Sequence, residues 1–398
     1  MTQYSEWLVR PLAYLTQNRI SQAGVALATS ATIFWLFFWA AGDQNPYLGI
    51  LTFGVIPLVL LIGLLLIPLG IRRQRRLGQR SAPLDARRLL GFLALTTLVN
   101  IVIASQTGYR AVEYMDSVSF CGQACHSAMQ PEFVAYSYAS HSQVPCVKCH
   151  IGAGAKGLIK AKMNGLRQAI AFVSGSYHRP IPPPHQAELP SEKETCEACH
   201  ARSFMQGDKL RVFQHYQDDQ ASTPKYSAVM VHVGAIHKAH FGSKKSELMD
   251  GSCRLCHNRP AHSFENPEDA VDRAIAAGSI DRKLTFARKN AVAALRAAST
   301  GDDAQRRFLA AYAGGNAGGS AQQVQAIFDR NIFPGMKITW GTYPNNLGHP
   351  GDNDGCFRCH DGKKATQDCN ACHNLVAMDE ASPQVLKDLG VIEAPAAK

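Results

Sequence analysis

The hydrophobic positions of this chain are concentrated at its start. Three apolar stretches occur within the first 105 residues, at about 24–41, 48–71 and 89–105. A helix needs roughly 20 apolar residues to cross the hydrocarbon core of a bilayer. A buried core helix would explain one such stretch, but three in close succession favour membrane spans. The pattern predicts an anchor of about three transmembrane helices over residues 23–105.

A short polar loop sets the expected orientation of this anchor. It separates the second and third stretches and holds seven arginines in RRQRRLGQRSAPLDARR, residues 72–88. Arginine-rich loops stay on the cytoplasmic side of a membrane. Residues 1–22 are therefore predicted to be cytoplasmic, and the chain after about residue 105 to lie outside. No small-residue cleavage site convincingly follows the first stretch, so we interpret it as an uncleaved anchor rather than a signal peptide.

Beyond the apolar region, the pattern is built on cysteine and histidine. Five pairs have the form Cys-x-x-Cys-His: CVKCH, CEACH, CRLCH, CFRCH and CNACH. In c-type cytochromes the two thiols bond to haem and the adjacent histidine binds its iron. Structural zinc needs no histidine after each pair, and disulfides would not place one there. The predicted haem c residues are Cys146, Cys149 and His150; Cys196, Cys199 and His200; Cys253, Cys256 and His257; Cys356, Cys359 and His360; Cys369, Cys372 and His373.

The first cysteine pair departs from this form. CGQACH places three residues between Cys121 and Cys125, and His126 follows directly. A loop that is one residue longer can still present two thiols to one haem. Since every other cysteine belongs to a regular motif, we interpret this pair as a sixth attachment site.

Histidines outside the motifs are candidates for the second iron ligand. Six of the 15 histidines belong to motifs, which leaves nine. Six irons would need at most six second ligands, so most of these nine histidines are expected to be ligands. His237 and His240 fall within one helical turn, so we expect them to compete for one role. His185, His215 and His232 are left open. The candidate set is His141, His178, His237, His240, His262 and His349.

The net charge of +10 does not indicate nucleic acid. The first 105 residues hold nine arginines and three acids, a difference of +6, mostly in the loop at 72–88. Nucleic-acid binding would need a basic face with interleaved aromatic residues, and none is present. The arginines of this loop instead indicate how the predicted anchor is oriented in the membrane.

A segment without cysteine or histidine separates the fourth and fifth motifs. Its four amphipathic runs, divided by glycine-rich breaks, predict a helical spacer over 263–348. A two-haem C-terminal module over 349–398 follows, with a weakly ordered tail after Met378. The expected fold is mainly α: transmembrane helices, then a haem-packed, helical, strand-poor periplasmic domain.

The motifs FCGQACHSAM, HSQVPCVKCH, CEACH and GSCRLCHNRPAH resemble the NapC/NirT family of membrane-bound quinol dehydrogenases. The resemblance covers about 110–262, within a four-haem domain at 106–262. It implies oxidation of quinol at the outer membrane face and transfer of electrons through haems to a periplasmic partner. This chain departs from the family in its number of anchor helices, in its first motif and in its two additional haem motifs. The longer form more loosely resembles inner-membrane cytochromes of bacteria that respire extracellular acceptors.

The resemblance also implies roles around the first haem. In the family this haem faces the quinol, and Met129 stands where a methionine ligand would be. The alternative is that His126 binds the iron and Met129 only packs against the haem. Candidate quinol-site residues are Lys160, Lys162, Gln168, Glu113 and Asp116. Gln168 stands where the family tends to have an acid, which Glu113 or Asp116 would replace.

Together these features predict a hexahaem cytochrome of the bacterial inner membrane, with its haem domain in the periplasm. It would take electrons from the quinone pool, menaquinol in particular, and pass them to periplasmic cytochromes or a reductase. Two alternatives are an electron-relay subunit without its own quinol site and a multihaem terminal reductase. The latter often carries Cys-x-x-Cys-Lys, which is absent here. The partner, direction of flow and oligomeric state are not determined by the sequence.

The number of attached haems tests the interpretation of the first motif. Mass spectrometry of the intact protein is expected to show six haem additions, because all 12 cysteines fall in pairs followed by histidine. Five additions would mean that the longer Cys121–Cys125 loop is not processed.

Overall fold

The structure is a computed structural model that describes residues 18–41, 55–77, 86–123, 126–151, 154–183, 189–200, 205–242, 253–312, 317–349 and 355–392. The chain forms two compact units, Met1–Ala124 and Cys125–Lys398. The first unit extends past residue 105, where the anchor was predicted to end. Packing does not set residues 349–398 apart as a unit of their own.

The first unit consists of helices in its described parts. They are α1 (Arg19–Ala41), α2 (Ile56–Arg76), α3 (Ala86–Met115) and α4 (Val118–Gln123). Two described segments are long and apolar enough to cross a membrane, Ile56–Arg76 and Leu90–Met115. The third predicted stretch is thus part of a 30-residue helix, because helical structure continues into the polar residues that follow the apolar ones. That α1 is also a span remains a prediction.

Small residues allow α1 and α2 to approach closely. A Cβ atom added at Gly63 would lie 2.7 Å from the backbone nitrogen of Ala28, and one at Gly24 would lie 2.7 Å from the carbonyl oxygen of Gly63. The Ser21 hydroxyl donates a hydrogen bond to the Ile67 carbonyl at 3.0 Å. In lipid, the hydrophobic effect does not drive helices together. Helices there associate through close backbone packing and interhelical hydrogen bonds.

The second unit is also mostly helical. In chain order its helices and strands are α5 (His126–Ser137), α6 (Val147–His150), α7 (Gly154–Val173), β1 (Lys209–Tyr216), β2 (Pro224–Val231), α8 (Val233–Gly242), α9 (Cys253–Cys256), α10 (Pro267–Ala276), α11 (Ala287–Ala297), α12 (Gly301–Ala310), α13 (Gly318–Asn331), β3 (His373–Glu380) and α14 (Gln384–Asp388). Short 3₁₀ helices cover Pro334–Met336, Gly355–Arg358 and Cys369–Ala371.

Helices α10 to α13 fall on the four amphipathic runs of the predicted spacer. They share one apolar core, in which Leu295, Phe308 and Ile327 are fully buried. Side chains cap two of the helices: Asn266 accepts from the Asp269 amide at 2.7 Å, and Thr300 from the Asp303 amide at 3.1 Å. Caps and an apolar stripe together account for helices in these segments.

A three-stranded antiparallel sheet, in the order β1-β2-β3, joins distant parts of the second unit. In the register of β2 and β3, Val231 lies opposite His373, so the sixth motif histidine begins an edge strand. The prediction of a weakly ordered tail after Met378 is wrong up to residue 392. There β3 continues to Glu380, and α14 buries Leu386 against Ala228 and Ala377.

The α1–α2 packing predicts a position-specific effect of glycine substitution. Gly63→Val should lower the free energy of unfolding by about 1–3 kcal/mol, because its side chain would overlap the α1 backbone. Thermal unfolding of the protein in detergent would measure the change. Gly91→Val is the matched control in α3, since among the described residues no atom outside its own stretch of helix lies within 4 Å of a Cβ there. Equal effects of both substitutions would contradict this packing.

Candidate haem-binding centre

Each of the five regular motifs places its histidine opposite a second histidine. The facing rings, with their centroid separations, are His141–His200 at 5.9 Å, His150–His262 at 6.1 Å, His237–His257 at 6.5 Å, His240–His360 at 6.0 Å and His349–His373 at 6.2 Å. All five second histidines belong to the set predicted from the sequence.

The separations fit a metal ion between the two rings. A bond from imidazole nitrogen to a metal is about 2.0 Å, and that nitrogen lies about 1 Å from its ring centre, so two rings on opposite sides of one metal are about 6 Å apart. Direct ring packing would not require this uniform spacing. The residues present therefore fit an iron with two imidazole ligands at five sites.

Hydrogen bonds fix the orientation of most of these rings. The Nδ1 atoms of His237, His240 and His360 donate to backbone carbonyls at 2.8, 2.7 and 2.6 Å. Those of His141 and His262 reach carbonyls at 3.1 Å. A carbonyl only accepts, so Nδ1 carries the proton and Nε2 keeps its lone pair for a metal. The Nδ1 atom of His373 is buried without a hydrogen-bond partner in the described part of the chain.

Burial favours the neutral form of two motif histidines. It lowers the pKa of His150 below its usual value, and the neighbouring His262 adds to this effect. Burial likewise lowers the pKa of His257, with a contribution from His237. Neutral imidazole is the form that binds metal.

Helix α8 carries two of the second histidines. His237 faces the fourth motif, whereas His240, three residues later, faces the fifth. The two rings thus face different motifs, whereas the sequence predicted that both histidines would compete for one role. Residues three apart lie on one helix face, and the sequence did not show that two motifs approach that face.

Pairing does not follow the order of the chain. His141 precedes the second motif but faces the third, while His262 follows the fourth but faces the second. His349 precedes the fifth motif but faces the sixth. These crossed pairs bring together segments that are up to 112 residues apart, which sequence proximity does not reveal.

A half-buried ionic cluster supports His262. Its Nδ1 lies 3.3 Å from a carboxylate oxygen of Glu132, which also pairs with Arg259 at 3.4 Å. The Arg259 guanidinium lies 3.8 Å from the centre of the Tyr343 ring. Sequence analysis missed Glu132 and Arg259, since neither is a cysteine or a histidine of an attachment motif.

Contacts within the motifs connect neighbouring attachment sites. Glu192 accepts from the backbone amides of Cys253 and Arg254 at 2.7 and 3.0 Å. Arg254, inside the fourth motif, donates to Thr195 beside the third at 3.2 Å. Arg358, inside the fifth motif, donates to the Leu255 carbonyl of the fourth at 3.0 Å. The variable positions of CRLCH and CFRCH thus hold consecutive motifs together, a role for which the motif pattern gave no signal.

The cysteines themselves agree with haem attachment rather than with disulfides or zinc. No cysteine in the described part of the chain forms a disulfide. No cluster of three or more His, Cys, Asp or Glu suited to a metal ion occurs among the described residues. Burial, reinforced by Glu192, raises the pKa of Cys253 to about 12.

An open cavity of about 490 Å³ lies at the fourth motif. His237, Phe241, Gly234 and Cys253 contribute to its lining. A side chain at Gly234 would lie 2.9 Å from the Gly207 amide nitrogen, so the backbone there is close-packed. The cavity provides room for a flat group between the motif cysteine and the facing histidine.

Other predicted residues have different surroundings. His215 and His232, left open above, pair with Asp379 at 2.8 Å and Asp208 at 3.1 Å. His178 is exposed, and no motif histidine faces it among the described residues. His185 lies outside the described residues.

The first motif is described only in part. Cys121 lies in the last turn of α4, and Met129 is half-buried in α5. Cys125 and the side chain of His126 lie outside the described residues. On α3, Glu113 pairs with Arg110 at 3.0 Å, and Asp116 directly follows that helix. Lys160 and Gln168 are exposed on α7, while the side chain of Lys162 is not described.

Comparison with known proteins supports the motif interpretation. No protein-family model matches the chain, and no solved structure matches it. This chain is 31% identical to the cytochrome c-type protein ImcH of Geobacter sulfurreducens, over 92% of this chain and 90% of that protein. Such a relative implies covalently bound haem c, and two apolar helices agree with a membrane location. The chain belongs to the family of the cytochrome c-type protein ImcH.

Proposed function

We propose that this protein is a membrane-anchored hexahaem cytochrome that oxidises quinol and relays electrons to a periplasmic acceptor. The observation that carries the proposal is the set of five histidine pairs at a common spacing of 5.9–6.5 Å. Each pair stands beside two cysteines of an attachment motif. The same ligand chemistry repeated along one chain suits electron transfer better than five separate reactions.

The residues of the proposal have defined tasks. The twelve cysteines would hold the haems, the motif histidines would bind on one side of each iron, and the facing histidines on the other. Haem supplies reversible one-electron chemistry when bound. The hydrogen bonds that Nδ1 donates to backbone carbonyls hold the rings in place, and metal-binding imidazoles depend on such partners.

Proximity of successive motifs supports a relay. Cys196 lies near Cys149, and Cys356 near both Cys256 and Cys372, close enough to influence the pKa of these thiols, which burial raises. The hydrogen bonds of Glu192 and Arg254 join the third and fourth motifs. The second to sixth motifs are therefore neighbours in series, so an electron entering near one end has a continuous route.

Paired histidines favour this relay over a terminal reductase. A reductase needs an iron with an open position for its substrate, whereas each of the five regular motif histidines has a facing histidine. The first motif is the remaining candidate for an unusual iron. By resemblance to the NapC/NirT family, we place quinol oxidation there, with Met129 as a candidate ligand.

The quinol site would need a proton acceptor, since quinol loses two protons with its two electrons. Lys160, Lys162, Glu113, Asp116 and Gln168 are the candidates for binding or proton transfer. We further propose the periplasmic orientation predicted from the arginine loop at 72–88. The exit would then lie at the last two motifs, where the exposed loop between them carries Lys363 and Lys364.

Reduction by a quinol analogue tests the proposed activity. Full-length, haem-loaded protein mixed with a menaquinol analogue should show haem reduction by absorbance, and a quinol-site inhibitor should prevent it. Lys160→Gln should slow reduction by about 10²-fold if Lys160 accepts the proton, whereas the exposed Lys283→Gln should not. Reduction by dithionite alone, with no response to the quinol analogue, would favour a relay subunit without its own quinol site.

A further inference from the structure

Helix α7, residues Gly154–Val173, has an unusual composition for the outside of a protein. It lies between the second and third attachment motifs. Its 20 residues include four cations and no acid. The cations are Lys156, Lys160, Lys162 and Arg167.

Large apolar side chains of α7 are exposed in one line. Ile159, Met163, Leu166, Ile170 and Val173 are 64%, 59%, 57%, 61% and 86% exposed. Their spacing alternates between four and three residues, which places them along one narrow face of a helix. A contiguous apolar stripe of this kind marks a surface that contacts something apolar.

Polar and charged side chains flank this stripe. Lys160 and Arg167 each follow an apolar residue of the stripe by one position, and both are exposed. A one-residue step turns the helix by about 100°, so these cations lie beside the stripe rather than within it. The arrangement of an apolar face bordered by lysine and arginine is that of helices that lie in a membrane interface.

The charges of α7 favour lipid, rather than a second copy of the chain, as the partner of the apolar stripe. Two α7 helices packed along their stripes would bring cations of both copies together with no acid in either helix to offset them. Anionic phospholipid headgroups neutralise such cations, while the acyl chains accept the apolar stripe. Two candidate membrane spans among the described residues agree with a location at a bilayer.

We propose that α7 is a membrane-surface helix, with the stripe of Ile159, Met163, Leu166, Ile170 and Val173 inserted among lipid acyl chains and its cations at anionic headgroups. The proposal rests on membrane anchoring and not on quinol oxidation. If quinol is the substrate, such a helix gives this lipid-soluble molecule an approach from the bilayer toward Lys160.

Photocrosslinking can test this contact in the intact protein. A diazirine amino acid would replace Leu166 or Ile170 in full-length, haem-loaded protein, reconstituted in nanodiscs of phosphatidylglycerol and phosphatidylcholine. Phe213, 57% exposed on β1, provides the matched control position. We expect several-fold more lipid adduct at 166 and 170 than at 213 by mass spectrometry. Arg167→Gln should reduce the phosphatidylglycerol share of those adducts.

Two other results would overturn the proposal. A covalent dimer formed through position 166 or 170 would show that a second copy covers the stripe. Adducts only within the same chain or to haem, or lipid yields no higher than at 213, would show that the stripe faces the protein or water. Should either substituted protein lose haem, the same probe at Ile159 or Val173 applies the test. None of these measurements requires quinol, so they are independent of the proposed activity.

Discussion

The facing imidazole pair is the interaction on which the second unit depends. A metal between two rings requires their nitrogens on one axis about 4 Å apart, and the two histidines come from distant segments in most of the pairs. His141 and His262 each reach across the chain to another motif. With one metal bound between its rings, such a pair would act as a long-range cross-link. Metal binding of this kind couples directly to folding, so we expect ligation to contribute to the stability of the regions that contain little apolar core.

Packing of protein against protein is concentrated elsewhere. The apolar core of α10–α13 is continuous and fully buried, whereas the motif segments are largely half-buried or exposed. The sheet connects the two kinds of structure: β2 leads into α8, which carries His237 and His240, and pairs with β3, which begins at His373. The His232 amide also donates to the Cys372 carbonyl at 2.8 Å. One strand and one short helix thus bring the fourth, fifth and sixth motifs together.

Sequence reasoning identified local features and missed those set by distant contacts. The Cys-x-x-Cys-His spacing and the four amphipathic runs are local, and the helices of the spacer lie where those runs predicted them. The five second histidines were within the predicted set because few histidines were available. Their assignments were not predictable, since His240 finds its partner 120 residues away at His360. Likewise, β3 forms by pairing with the edge of β2, which is distant in sequence. Glu132, Arg254 and Arg358 act through tertiary contacts that the motif pattern does not indicate.

Counting the axial ligand sets in the intact protein tests the central claim most directly. Near-infrared magnetic circular dichroism of the oxidised, haem-loaded protein distinguishes irons with two imidazole ligands from other ligand sets. We predict five bis-imidazole irons and a different sixth. His240→Met should convert one of the five, and His215→Met, whose native side chain pairs with Asp379, should convert none. Fewer than five bis-imidazole irons in the wild-type protein, or no change with His240→Met, would contradict the account.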